Sequence, residues 1–157
     1  MNLNRNLSIS LFSILLIATG CNNDAWTRGQ PPSVETMVTR AKSTLSENIN
    51  ARKSKRPEIS QVAENIEVSL LKAYELSKGP QRSDILAPLL KSQQDLLSLE
   101  GKLSLGSRPA YGELSKQLQE FIRKVQDGEQ VSNAGLGLYF SRVLLFLSDE
   151  LLVSAPS

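Results

Sequence analysis

The sequence predicts an all-α protein, an up-and-down bundle of four or five helices that follows a signal peptide and a flexible tether. Apolar residues recur at steps of three and four over most of the chain beyond Ser33, which is the helical period. Proline stands where successive helices should begin, in KRPE, KGPQ and SRPA, because proline suits a first turn and not a helix interior. The short connections between segments favour antiparallel neighbours.

The first 20 residues are typical of an export signal. Arg5 precedes a mostly apolar run over residues 7–18, which is shorter than the roughly 20 residues that a membrane-spanning helix needs. A short apolar run behind a positive start, followed by small residues, is typical of a secretory signal peptide. The run leads through Ala18, Thr19 and Gly20 to Cys21, the only cysteine of the chain.

Ala18-Thr19-Gly20-Cys21 resembles the lipobox of bacterial lipoproteins. The resemblance covers residues 1–21 and implies cleavage by the lipoprotein signal peptidase, with Cys21 as the mature N-terminus carrying a diacylglyceryl group. In enterobacterial lipoproteins Asp after the cysteine favours inner-membrane retention, so Asn22 implies the outer membrane if the organism is Gram-negative. The alternative is an ordinary secretory peptide cut after Gly20, which would leave Cys21 as a free thiol on an unanchored exported protein.

Residues 21–32 are predicted to form the tether between this N-terminus and a domain over residues 33–155. The segment contains asparagines, a glycine and Pro31-Pro32, a composition typical of flexible linkers with a short extended piece. At about 3.3 Å per extended residue the tether reaches roughly 40 Å. We therefore expect the domain to stay close to the membrane that holds the lipid.

The first three helices of the domain are predicted over residues 34–53, 58–78 and 83–105. In each of them apolar side chains line one face at helical spacing, as expected for helices that bury one side against neighbours. Pro88 falls early in the third segment, where it should mark the first turn or bend the helix.

The last two helices are predicted over residues 109–128 and from Ser132-Asn133 to about Val153. The fourth carries a bundle seam of alternating three- and four-residue steps, and Gly128 is a natural stop. The fifth is apolar nearly all round, which favours a position at the centre of the bundle. Either Ser132 or Asn133 can cap it.

The composition excludes the commonest kinds of catalytic and cofactor site. The chain has no histidine, which removes the usual general base at neutral pH and the commonest metal ligand. One cysteine allows neither a disulfide within the chain nor a thiolate cluster. We therefore expect no enzyme activity, no metal and no cofactor. The formal charge of +2 and the expected export also disfavour nucleic acid as a partner.

Two groups of residues are candidates for contacts with other molecules. Basic side chains cluster in the predicted turn between the first two helices, where they could meet an anionic partner or only solvent: Arg52, Lys53, Lys55 and Arg56. Small residues form a row along the fifth helix, where they could admit another helix or a ligand: Gly137, Ser141 and Ser148.

The sequence thus favours a lipid-anchored cell-envelope protein that acts as a non-catalytic accessory, scaffold or interaction subunit. Its expected partners are the membrane, through the N-terminal lipid, and another envelope protein. The alternative function is a carrier that holds an apolar ligand within the bundle, which would require an internal cavity of about 300 Å³ or more.

Overall fold

The computed structural model describes residues 31–79 and 82–153, and these ranges contain five α-helices and no strand. The chain divides into two units, Met1–Pro31 and Pro32–Ser157, and the helices belong to the second. The prediction of an all-α bundle is confirmed. The helices are α1 (Val34–Arg52), α2 (Pro57–Ser77), α3 (Leu86–Leu97), α4 (Arg108–Gln126) and α5 (Asn133–Leu152).

The five helices form a closed ring in which consecutive helices are antiparallel. Each helix packs against the next along the chain, α5 packs against α1 to close the ring, and α2 contacts α5 across it. Val34 at the start of α1 lies beside Gly137 near the start of α5, and Asn48 bonds to Ser148 further along both helices. These two contacts show that the closing pair, α1 and α5, is parallel. An up-and-down ring with an odd number of helices must contain one such parallel pair of neighbours.

The helix starts follow the sequence signals. The Ser33 hydroxyl accepts a hydrogen bond from the Thr36 N–H at 3.2 Å, and the Ser132 hydroxyl accepts one from the Gly135 N–H at 3.0 Å. Each bond satisfies an N–H that the first turn of a helix leaves without a partner. Pro57 and Pro109 occupy first-turn positions of α2 and α4, whereas Pro80 lies outside the described residues.

The third helix is shorter than predicted, because α3 ends at Leu97 and not near residue 105. The chain continues through two short 3₁₀ turns, Glu100–Lys102 and Leu105–Ser107. Leu99 and Leu103 are buried in this stretch, so their side chains cover the end of the core. Burial of these two leucines and the loop's contacts with α5 override the helical period of the sequence.

α5 lies between α1 and α4, with α2 behind it. Three of its sides contribute the largest group of buried side chains in the core, namely Leu136, Tyr139, Phe140, Val143, Leu144, Leu147 and Leu151. Its fourth side faces away from the bundle and is exposed. The expectation of a fully central helix is thus only partly met, since one side of α5 has no helix of the described chain over it.

Candidate interaction surface

The row of small residues on α5 is a helix–helix contact within the bundle. A side-chain carbon added at Gly137 would collide with Val34 of α1 and would lie 2.8 Å from the Tyr74 ring of α2. Ser148 accepts a hydrogen bond from the Asn48 side chain of α1 at 2.5 Å. Ser141 is buried and donates to the Leu138 carbonyl at 2.9 Å. Gly137 and Ser148 therefore face α1, and Ser141 is buried between them on the same helix.

We expect Gly137→Ala to destabilise the fold, although alanine is the better helix former. The added carbon overpacks the contact with Val34 and Tyr74, at a cost of about 1–3 kcal/mol in the free energy of unfolding. Gly112 is a matched control, because it too is the fifth residue of its helix and nothing lies within 4 Å of an added carbon there. Gly112→Ala should stabilise by about 0.5–1 kcal/mol. Urea denaturation measures both, and stabilisation by both variants would contradict the close packing at Gly137.

The four residues of the predicted basic cluster do not all lie at the surface, because the Arg56 side chain points into the bundle. The residue is only 4% exposed. Its guanidinium donates to the carbonyls of Val153 at 3.0 Å and Lys102 at 3.3 Å. Its Nε donates to the Glu58 carboxylate at 3.2 Å. Arg56 thus joins the start of α2 to the 3₁₀ turn after α3 and to the end of α5, and it is not available to an external anion.

The other three basic residues of the turn remain at the surface. Lys53 and Lys55 are exposed and Arg52 is half-buried. Lys53 lies 2.9 Å from the Glu64 carboxylate, which offsets part of the positive charge. The pKa of the neighbouring Glu58 is held below its ordinary value, mainly by a hydrogen bond from its own backbone N–H and further by Arg56. The surface therefore carries a weaker positive field than four unpaired basic side chains would give.

Glu150 is a second buried charge at the same end of the bundle. It is 1% exposed and accepts hydrogen bonds from the Ser104 N–H at 3.2 Å, the Ser104 hydroxyl at 2.8 Å and the Ser107 hydroxyl. These donors precede α4, so the carboxylate also lies close to the positive end of that helix dipole. Glu150 thus holds the loop before α4 against α5 through hydrogen bonds. The sequence pattern did not predict this contact.

The outer face of α5 consists of Leu138, Arg142, Leu145, Asp149 and Leu152. The three leucines are spaced by seven residues and are 42%, 46% and 49% exposed. Residues at this spacing share one side of a helix. Arg142 and Asp149 lie between the leucines on the same side and are exposed as well. Arg142 donates from Nη1 to the Gln117 side chain of α4 at 3.0 Å. The face is therefore an apolar row that carries one positive and one negative group.

A groove of about 710 Å³ lies between α4 and α5. It is lined only by charged and amide side chains, among them Arg123 and Arg142. Arg123 contacts Glu120 and Asp127, and these ion pairs raise the pKa of Arg123 and lower that of Glu120. Two smaller clefts of about 290 and 300 Å³ also contain lysine side chains. The groove is thus a polar surface feature and not an apolar ligand chamber.

Within residues 31–79 and 82–153, no three His, Cys, Asp or Glu side chains lie close enough together to hold a metal ion. None of the helices in those ranges has the length and hydropathy required to cross a membrane. Cys21, the predicted lipidation residue, lies outside the described residues.

Comparison of the chain with protein-family models, with curated proteins and with solved structures gave no match.

Proposed function

We propose that this chain is a lipid-anchored protein of the bacterial cell envelope whose helical bundle acts through protein contacts and not through catalysis. The anchor is Cys21, behind the apolar run and Ala18-Thr19-Gly20. The observation that carries the contact role is the outer face of α5, where three leucines are exposed in one row. A row of leucines on the surface of a folded domain favours a binding partner, since scattered single apolar residues are the rule elsewhere.

The buried charged groups support a structural and not a catalytic use of the bundle's polar residues. Arg56 donates to two backbone carbonyls and to Glu58. Glu150 accepts three hydrogen bonds from Ser104 and Ser107. A catalytic carboxylate or guanidinium has to face a cleft that substrate can enter. Both groups instead connect helix ends within the bundle.

A carrier of apolar ligands is the weaker alternative. Tyr139 and Phe140 fill the space between the helices, and Phe121 packs edge-on against the Tyr139 ring with centroids 5.4 Å apart. Burial also raises the pKa of Tyr139 above its ordinary value. The bundle is therefore better suited to present a surface than to enclose a ligand.

We expect Cys21→Ser to release the protein from the membrane. A diacylglyceryl group and a further acyl chain together give stable anchoring, whereas the unmodified chain has no lipid to insert. The test is fractionation of detergent-free extracts together with metabolic labelling by a fatty acid. Asn22→Ser is the matched control and should remain labelled and membrane-bound. A parent chain that never labels, with a Cys21→Ser variant that stays in the membrane fraction, would refute the anchor.

A further inference from the structure

We infer that the outer face of α5 binds the same face of a second copy of this chain, with the two helices antiparallel. The inference rests on the contact role proposed above and specifies its partner. The positions of the exposed residues along α5, with the charges they carry, determine both the partner and the direction.

The apolar row is symmetric about Leu145. Leu138 lies seven residues before it and Leu152 seven residues after it. A two-fold axis through Leu145 therefore sets Leu145 against Leu145 of the second copy, and Leu138 of each copy against Leu152 of the other. Such a contact is self-complementary, as the interface of a symmetric dimer has to be.

The charges select the antiparallel direction. Arg142 lies three residues before Leu145 and Asp149 four residues after it. An antiparallel pair therefore brings Arg142 of each copy close to Asp149 of the other, and two ion pairs form. A parallel pair would set Arg142 against Arg142 and Asp149 against Asp149, and like charges opposed across an interface are unfavourable.

The same charges make other occupants of the face less suitable. A lipid surface would have to accommodate Arg142 and Asp149 within the apolar row. Leu90 and Leu97 of α3 are also exposed at a spacing of seven. The residue between them, Gln94, is uncharged, so no charge pair there would favour a parallel or an antiparallel contact. Among the helices of residues 31–79 and 82–153, the outer face of α5 alone combines an apolar row with a charge pair that complements itself.

The area of the face is small, so we expect a weak dimer that forms more readily when both copies are anchored in one membrane. A helix of this length extends about 30 Å and is about 10 Å wide, which gives a contact of roughly 300 Å² on each copy. Stable interfaces bury about 500 Å² or more per partner. Anchoring two copies in one membrane raises their effective concentration, so the contact should be tested in the membrane.

Single cysteine substitutions in the full chain test the geometry in cells. In the parent chain Cys21 is blocked by the thioether to lipid, so it forms no disulfide. We expect Leu145→Cys to give a disulfide-linked dimer, because the Cα atoms must approach within about 7 Å and position 145 lies on the two-fold axis. Leu138→Cys and Leu152→Cys should each remain monomeric, whereas the two substitutions together in one chain should crosslink. Ser43→Cys on the exposed side of α1 is the surface control.

A charge exchange separates the contact from a structural role of the same residues. In the Leu145→Cys background, Arg142→Asp should lower the crosslinked fraction about tenfold, because like charges then oppose each other. Addition of Asp149→Arg restores opposite charges across the interface and should recover the dimer. Damage within one copy would not be repaired in this way, and circular dichroism checks that each variant is folded.

The results that would overturn the inference are distinct from those that would refute the anchor. Equal crosslinking from positions 138, 145 and 152 would show a parallel pair. Crosslinking at 145 no greater than at the Ser43 control, with both thiols reactive to maleimide, would show that a second copy does not cover this face. A photo-reactive residue at 145 that captures only a different protein would also overturn the inference while leaving the proposed function intact. A disulfide dimer in the parent chain would instead mean that Cys21 carries no lipid.

Discussion

Leu144→Ala is expected to lower the free energy of unfolding by about 2–5 kcal/mol, because it removes a fully buried side chain and leaves a cavity. Leu144 is 0% exposed, on the side of α5 that faces the core. The adjacent Leu145 is the matched control, since it is the same residue type in the same helix but is 46% exposed. Leu145→Ala should cost less than about 1 kcal/mol.

Urea denaturation of the Cys21→Ser chain, which requires no detergent, measures both variants in a common background. The account predicts a large difference between two neighbouring leucines. Equal losses would mean that α5 is enclosed on all sides, as its apolar sequence first suggests. Near-zero losses at both positions would mean that this helix does not form the core.

Arg56→Ala is expected to lower the free energy of unfolding by about 2–4 kcal/mol. The carbonyls of Lys102 and Val153 lose their donor, and a hydrogen bond from a charged group contributes about 1.5–3 kcal/mol. Lys55→Ala in the same turn removes an exposed side chain and should change stability by less than about 0.5 kcal/mol.

Arg56→Lys tests whether geometry as well as charge matters. A single ammonium group lacks the planar fork of the guanidinium, so it should recover only part of the stability lost in Arg56→Ala. Full recovery by lysine would show that the positive charge alone suffices. Equal effects of Arg56→Ala and Lys55→Ala would show that Arg56 does not hold these helix ends together.

The helices were predictable from the sequence because their signals are local. Ser132 caps α5, and Pro57 and Pro109 lie in first turns, as the spacing of these residues indicates. The small residues Gly137 and Ser148 indicated a close helix contact, although the sequence did not identify α1 as the neighbour. Local hydrogen bonding and the side-chain period thus account for most of the helix bounds.

The long-range polar contacts could not be predicted from the same signals. Arg56 binds the carbonyls of Lys102 and Val153, and every residue except proline offers a similar carbonyl and N–H. Nothing in the residue types therefore distinguishes Arg56 from Arg52 of the same turn. Glu150 presents the same difficulty, because its partners are a backbone N–H and two serine hydroxyls more than 40 residues earlier in the chain.

The exposed face of α5 was missed for a geometric reason. A helix with apolar residues on every side is normally enclosed by neighbours, which led to the expectation of a central position. The ring instead has helices on three sides of α5, and Leu138, Leu145 and Leu152 remain on the fourth. The apolar period thus reflects two surfaces, one that packs in the core and one that we propose for a second copy.

The measurement that tests the central claim most directly is mass spectrometry of the N-terminal tryptic peptide of the protein isolated from membranes. The proposal of a lipid-anchored envelope protein predicts a peptide over residues 21–28 that begins at Cys21 and carries the mass of a diacylglyceryl group on its sulfur, with or without an acyl chain on its amine. A peptide that begins at Cys21 with an unmodified thiol would contradict the anchor and indicate an ordinary secreted protein. A peptide that retains residues before Cys21 would contradict cleavage at that position.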